Sequence, residues 1–184
     1  AQSRIHLPEN CRNTSNIIDE GTRALGVDMG RCTTGPGPVP IWRWWSIPAE
    51  ASDELGQHLD GLFRDGIEPE EITILTGAAP EADPVIAELP GKFRALVEPL
   101  SENSVNRPAA GKIGAARIGL FKGLENDFVC VTDLPSLDET LNREGVAELY
   151  VAMTRPRAGL WMGLPSRLKN SITSLSNRTD VSGQ

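Results

Sequence analysis

Thiols, imidazoles and aromatic rings are scarce in this chain. It has two histidines, His6 and His58, and three cysteines, Cys11, Cys32 and Cys130, with no C-x-x-C pair among them. So thin a supply excludes a zinc site built from protein side chains, and no metal-ligating set is expected. An odd, widely spaced set of cysteines also excludes a disulfide framework and reads as reduced thiols of the cytoplasm. No apolar run reaches membrane-spanning length, and the start AQSRIHLPEN has no basic-then-apolar signal region, so no membrane partner is expected. Lysine and arginine number 18 against 25 acidic residues, for a formal net charge of −7. That balance argues against a free-standing nucleic-acid binder, whose footprint is usually a basic patch. No G-x-x-x-x-G-K-S/T occurs: Gly111-Lys112-Ile113 has neither the first glycine at the right distance nor the hydroxyl. Without that loop, and without an acidic pair after an apolar strand, the chain cannot cradle a triphosphate by itself. A glycine-rich strand–helix fingerprint for a dinucleotide is missing too.

What is present is a globular composition. The 184 residues are 39% hydrophobic and 23% charged, enough to bury one core, with a second small unit possible, and too apolar for disorder. Residue 1 is alanine and strand-like residues follow almost at once, so the sequence reads as a segment of a longer protein. Short β-like runs alternate with helix-like runs, the pattern of an α/β domain with a mainly parallel sheet. Strands are predicted at Arg4–Leu7, Ile41–Ile47, Glu71–Thr76, Phe93–Glu98, Ala115–Leu120, Phe128–Thr132 and Gly159–Met162. Helices are predicted at Asn13–Leu25, capped by Asn13 or Thr14, at Glu50–Asp65, and up to Thr154 with Val146, Leu149, Tyr150 and Met153 inward. Ser101–Gly114 reads as loop. The domain is bounded at 1–164, and the Ser/Asn/Thr-rich 165–184 is predicted to be a disordered tail.

Three segments stand out. Arg12, in Leu7-Pro-Glu-Asn-Cys-Arg-Asn-Thr14, lies just before a predicted helix. Phe121-Lys-Gly-Leu-Glu125 lies between two strands. Arg155, in Leu149-Tyr-Val-Ala-Met-Thr-Arg-Pro-Arg157, ends a helix just before a strand. Taken singly, Arg12 reads equally as a surface arginine, Lys122-Gly123 as a simple turn, and Leu149–Met153 as a core helix stopped by Pro156. Trp42, Trp44 and Trp45 could stack on bases beside Arg43, but alternating aromatics in a strand more often pack against helices. His58 lies on an amphipathic helix as a boundary residue.

In this order and spacing the three segments resemble motifs IV, V and VI of superfamily 1 DNA helicases of the UvrD/Rep type. Asn10-Cys11-Arg12-Asn13 is similar to the N-Y-R-S/T of motif IV, Lys122-Gly123-Leu124-Glu125 to the K-G-L-E of motif V, and Leu149–Pro156 to the L-Y-V-A-x-T-R-A of motif VI. The resemblance runs from about Ile5 to Gly163. It implies a RecA-like, three-layer P-loop-NTPase-type domain without its own P-loop: the C-terminal, second motor domain. In that family ATP and Mg²⁺ lie between two such domains and are held mainly by the first, N-terminal one. The resemblance makes Arg155 the arginine finger and Arg12 its companion. It makes Glu125 the ribose ligand, with Lys122 and Gly123 beside it linking the nucleotide to single-stranded DNA.

The sequence also departs from the pattern. Cys11 stands where many relatives carry a tyrosine that stacks on adenine, and Arg117-Ile118-Gly119-Leu120 stands where many carry T-I-H-S. The interval from Glu98 to Arg117 leaves no room for an inserted domain. These departures keep open an alternative, a helicase-derived interaction or regulatory module that does not hydrolyse ATP.

Overall fold

The structure is a computed structural model, and it describes residues 9–102, 104, 108–137 and 142–178. The predicted strand Arg4–Leu7 lies outside the described residues. In chain order the elements are β1 (Glu9–Asn10), α1 (Ser15–Leu25), β2 (Arg31–Cys32), β3 (Ile41–Trp45), α2 (Pro48–Arg64), β4 (Ile72–Thr76) and α3 (Pro84–Glu88). They continue with α4 (Gly91–Arg94), β5 (Val97–Pro99), β6 (Ile113–Arg117), β7 (Asn126–Val131), α5 (Arg143–Thr154), β8 (Pro156–Pro165) and α6 (Lys169–Arg178).

Six strands form one sheet in the order β3-β8-β7-β4-β6-β5, and every pairing in it is parallel. A parallel sheet is buried on both faces, and the alternation along each strand divides the core accordingly. Leu75, Val129, Val131, Leu160, Met162 and Leu164 face one layer with the apolar residues of α1, α5 and α6. Ile72, Ile74, Cys130 and Trp161 face the other, with Leu55 and Leu59 of α2, Val85 and Ile86 of α3 and Phe93 of α4. The result is the three-layer α/β sandwich with a mainly parallel sheet that the sequence implies. A two-stranded parallel pair, β1 with β2, lies apart from the main sheet.

Several boundaries differ from expectation. Pro90-Gly91 starts a helical turn that buries Phe93, so the strand expected at Phe93–Glu98 shrinks to Val97–Pro99. Strand β6 begins at Ile113 within the supposed loop and stops at Arg117. Successive turn hydrogen bonds from Leu120 to Arg117, Phe121 to Ile118 and Leu124 to Phe121 take over there. The last strand is ten residues long, not four. The disordered tail is a correction for residues 166–178. They form a 3₁₀ turn and α6, and bury Leu168, Ile172 and Leu175 against the layer that holds α1. Those three apolar residues recur at helical spacing, a stripe that the polar composition hides.

The Trp-rich strand is structural. Trp42 and Trp44 stack with centroids 5.7 Å apart and rest half-buried on the α1 side, while Trp42 Nε1 donates to Glu20 Oε1 at 2.5 Å. Trp45 Nε1 donates to the Gly163 carbonyl at 3.0 Å. On the opposite layer the His58 ring stacks on Trp161 at 6.3 Å, and burial, with Arg43 nearby, lowers its pKa to about 4 from an ordinary 6.5. The unfolded chain therefore binds the proton more tightly. Stability is full above pH 6.5 and falls as pH drops towards 4, by an amount on the order of 3 kcal/mol. Urea unfolding at pH 7 and at pH 4.5 is expected to show this loss, and H58Q is expected to remove it. An equal loss in H58Q would assign the acid sensitivity to other groups. Burial also pushes the Cys130 thiol up to about 12, so it stays protonated and inert in the core.

Candidate nucleotide interface

The site is built where the start of the chain meets the end of α5. Asn10 organises the loop before α1: its Oδ1 accepts from the backbone N–H of Arg12 at 3.1 Å and of Asn13 at 3.0 Å. Its Nδ2 donates to Asn13 Oδ1 and to the Met29 carbonyl. Asn13 is 2% exposed and donates from Nδ2 to the carbonyls of Thr154 and Pro156, at 3.4 and 2.5 Å. Of the two residues offered as helix cap, Asn13 does not hold that place. Thr14 is the cap residue, and the Asn13 side chain ties the Arg12 loop to the residues on either side of Arg155.

Arg155 follows the last turn of α5 and is 8% exposed. Its Nε donates to the Val151 carbonyl and Thr154 Oγ1, its Nη2 to Thr154 Oγ1 at 2.8 Å, and its Nη1 to the Leu124 carbonyl at 3.0 Å. A guanidinium carries five N–H donors, so one hydrogen on each terminal nitrogen is left without an acceptor among the described residues. Burial lowers the pKa of Arg155, and the neighbouring positive charge of Arg12 lowers it further. Glu125 and Tyr150 act in the opposite direction, so the charge on Arg155 is offset in part.

Glu125 completes the constellation. Its Oε2 lies 2.6 Å from Arg12 Nε, and its Oε1 lies 3.8 Å from Arg157 Nη1. Arg157 in turn donates from Nε and Nη2 to Asp127 Oδ1, both at 2.9 Å. Arg12, Glu125 and Arg155 come from three segments distant along the chain and meet at one place. Lys122 and Gly123 do not join them. Both are exposed in the turn before Glu125, and Gly123 serves that turn with a φ of +90° that other residues adopt only with strain.

Arg12 and Arg155 line a cleft of about 430 Å³ with Cys11, Met29, Tyr150 and the acidic Glu9 and Asp28. Tyr150, expected to face the core, is instead 45% exposed on this cleft. A larger hollow of about 710 Å³ lies at the ends of β4 and β6. It is lined by Arg117 and Gly119 but also by Glu102, Glu144 and Glu148, and it holds none of the five expected site residues. Sequence reasoning missed Asn10, Asn13, Asp127 and the partnering of Arg157. An asparagine on each side of Arg12 was the available signal for the first two.

No family model and no curated protein sequence matches the chain. Among solved structures, the fold is similar to the C-terminal domain of a possible DNA helicase from Lactobacillus plantarum WCFS1. The TM-score is 0.65 at 19% identity, covering 92% of this chain and 93% of that one. At that identity the likeness establishes a shared fold.

Proposed function

We propose that this chain is the second, C-terminal RecA-like motor domain of an ATP-dependent DNA helicase or translocase of superfamily 1. In this reading it faces ATP and Mg²⁺ held by an N-terminal P-loop domain of the same parent protein. The carrying observation is that Arg12 and Arg155 line one cleft while Glu125 pairs with Arg12 beside it. The shared fold with a domain whose name says DNA helicase agrees with it.

The residues fit a nucleotide. Two guanidiniums lining one cleft suit a polyphosphate, because each planar fork can donate paired, charge-assisted hydrogen bonds to phosphate oxygens. ATP with Mg²⁺ would supply a γ-phosphoryl group whose transfer to water drives domain movement. Arg155 acts as the arginine finger: its protein hydrogen bonds fix the guanidinium plane, and the remaining hydrogens on its terminal nitrogens meet the charge that grows on the phosphoryl oxygens. Arg12 is its more exposed companion. Glu125 offers a carboxylate to ribose hydroxyls, and Lys122 and Gly123 contribute through the turn that presents it. Single-stranded DNA would be followed by the parent's two domains together, since this one is acidic overall. Because the site is half of a shared one, the isolated chain is expected to bind ATP weakly and not to hydrolyse it. Calorimetric titration giving micromolar affinity for the chain alone would refute a shared site.

Cys11 and Gly119 favour a second reading, a helicase-derived module that binds partners without turnover. Cys11 is exposed on the cleft and brings no ring to the base. The two readings separate on the parent gene: a motor requires an intact P-loop and an acidic magnesium-binding motif encoded upstream, and the module does not.

A further inference from the structure

We propose that Glu125 competes internally for Arg12, and that Arg157 is a positioning residue that takes Glu125 over when Arg12 is drawn to a polyphosphate. This rests on the reading of the cleft given above and adds a mode of regulation to it. The two oxygens of Glu125 face different arginines from different segments, Arg12 at 2.6 Å and Arg157 at 3.8 Å. Asp127 fixes Arg157 along the edge formed by Nε and Nη2, which leaves Nη1 turned to Glu125. The four side chains are 30–47% exposed, so exchanging one ion pair for the other costs little desolvation.

The charges give the exchange its direction. Arg12 lies close enough to disfavour the charge on Arg155, and Glu125, paired with Arg12, offsets that repulsion. A polyphosphate brings more negative charge to the same place. It makes Glu125 both unnecessary and repulsive there, and the nearest alternative cation is Arg157, a movement of about 1 Å away. Arg12 is thereby held back until an anion of sufficient charge arrives. No covalent bond is made or broken in the exchange.

The test is an NMR titration of the chain with sodium tripolyphosphate, which has no ribose for Glu125 to hold, read at the amides of Cys11 and Arg12. E125Q is expected to tighten binding about twofold to fivefold, the range an exposed ion pair can contribute. R157Q is expected to weaken it about twofold, and to lose that effect in the E125Q background, where no carboxylate remains to be handed over. E9Q removes a cleft carboxylate that pairs with no arginine among the described residues, and it is expected to change binding less than E125Q does. Weaker or unchanged binding in E125Q, an equal gain in E9Q, or an R157Q effect that persists beside E125Q would each overturn the hand-over. So would silence in both wild type and E125Q. R12A separates the two levels. If it abolishes binding while E125Q fails to tighten it, only the competition is wrong; if R12A leaves binding unchanged, Arg12 is not a phosphate ligand and the functional reading falls as well.

Discussion

Replacing Arg155 by alanine in the parent protein is expected to lower DNA-stimulated ATP hydrolysis by about 10³- to 10⁵-fold, the range by which an arginine finger accelerates phosphoryl transfer. In the proposed motor the loss should fall on kcat, with KM for ATP changing much less, because a finger would meet charge that develops only as the γ-phosphoryl separates. Arg155 also holds the fold together. It is buried and donates to the Leu124 carbonyl and Thr154 Oγ1, so truncation leaves a buried acceptor short of a donor at a cost of about 1–3 kcal/mol. A melting curve therefore has to accompany the rate. R155K separates the two roles: an ammonium keeps the charge and can satisfy Leu124, but it cannot also hold Thr154 and fork towards phosphate. Its rate is expected to lie close to that of R155A and its stability closer to wild type. Wild-type turnover in either variant would remove the finger.

Most of the fold could be read in the chain because period and burial agree along it. Ile72, Ile74 and Leu75 form an unbroken buried run within five residues, as a central parallel strand must, and the wholly buried β4 is where they lie. Leu55, Leu59 and Leu62 recur at helical spacing and turn inward from α2. Reading failed where composition and geometry pull apart. Residues 169–178 are rich in serine and asparagine, and only the spacing of Leu168, Ile172 and Leu175 marks the helix that packs on α1. Phe93–Glu98 reads as a strand, although Pro90-Gly91 turns the chain into a helical turn that takes up Phe93. Tyr150 obeys the helical period, yet it lies beside the buried Leu149 on the flank of α5 that lines the cleft and stays 45% exposed.

The site was legible only as a set of residue types. Arg12, Glu125 and Arg155 were singled out by resemblance, and they meet. Nothing in the sequence says that Glu125 pairs with Arg12, because an ion pair across 113 positions follows from how the loop after β1 is bound against the start of β8, beside the first residue of β7. The same holds for Asn13, whose carbonyl partners lie 141 and 143 residues away. Lys122 and Gly123 show the converse: a local motif can be a turn that presents a neighbour without reaching the cleft itself.

A single methyl group tests how α5 aims Arg155. Gly145 lies in the first turn of that helix, where Asn142 Oδ1 accepts its N–H at 2.8 Å. A Cβ there would stand 2.4 Å from the Leu137 Cα and from the Ser136 carbonyl oxygen. Both are backbone atoms and cannot swing aside, so G145A must push α5 away from the 136–137 turn. Alanine's better helix propensity returns about 1 kcal/mol, and overpacking is expected to outweigh it for a net loss of about 3 kcal/mol, or roughly 6–12 °C in Tm for a domain of this size. G61A is the matched control, since a Cβ at Gly61 in α2 meets nothing within 4 Å. The same substitution there is expected to raise Tm slightly. A G145A protein as stable as wild type would mean that α5 does not rest on that turn. The distance between Asn142 and Arg155 would then have no rigid base, and neither would the reach of the guanidinium at the far end of the helix.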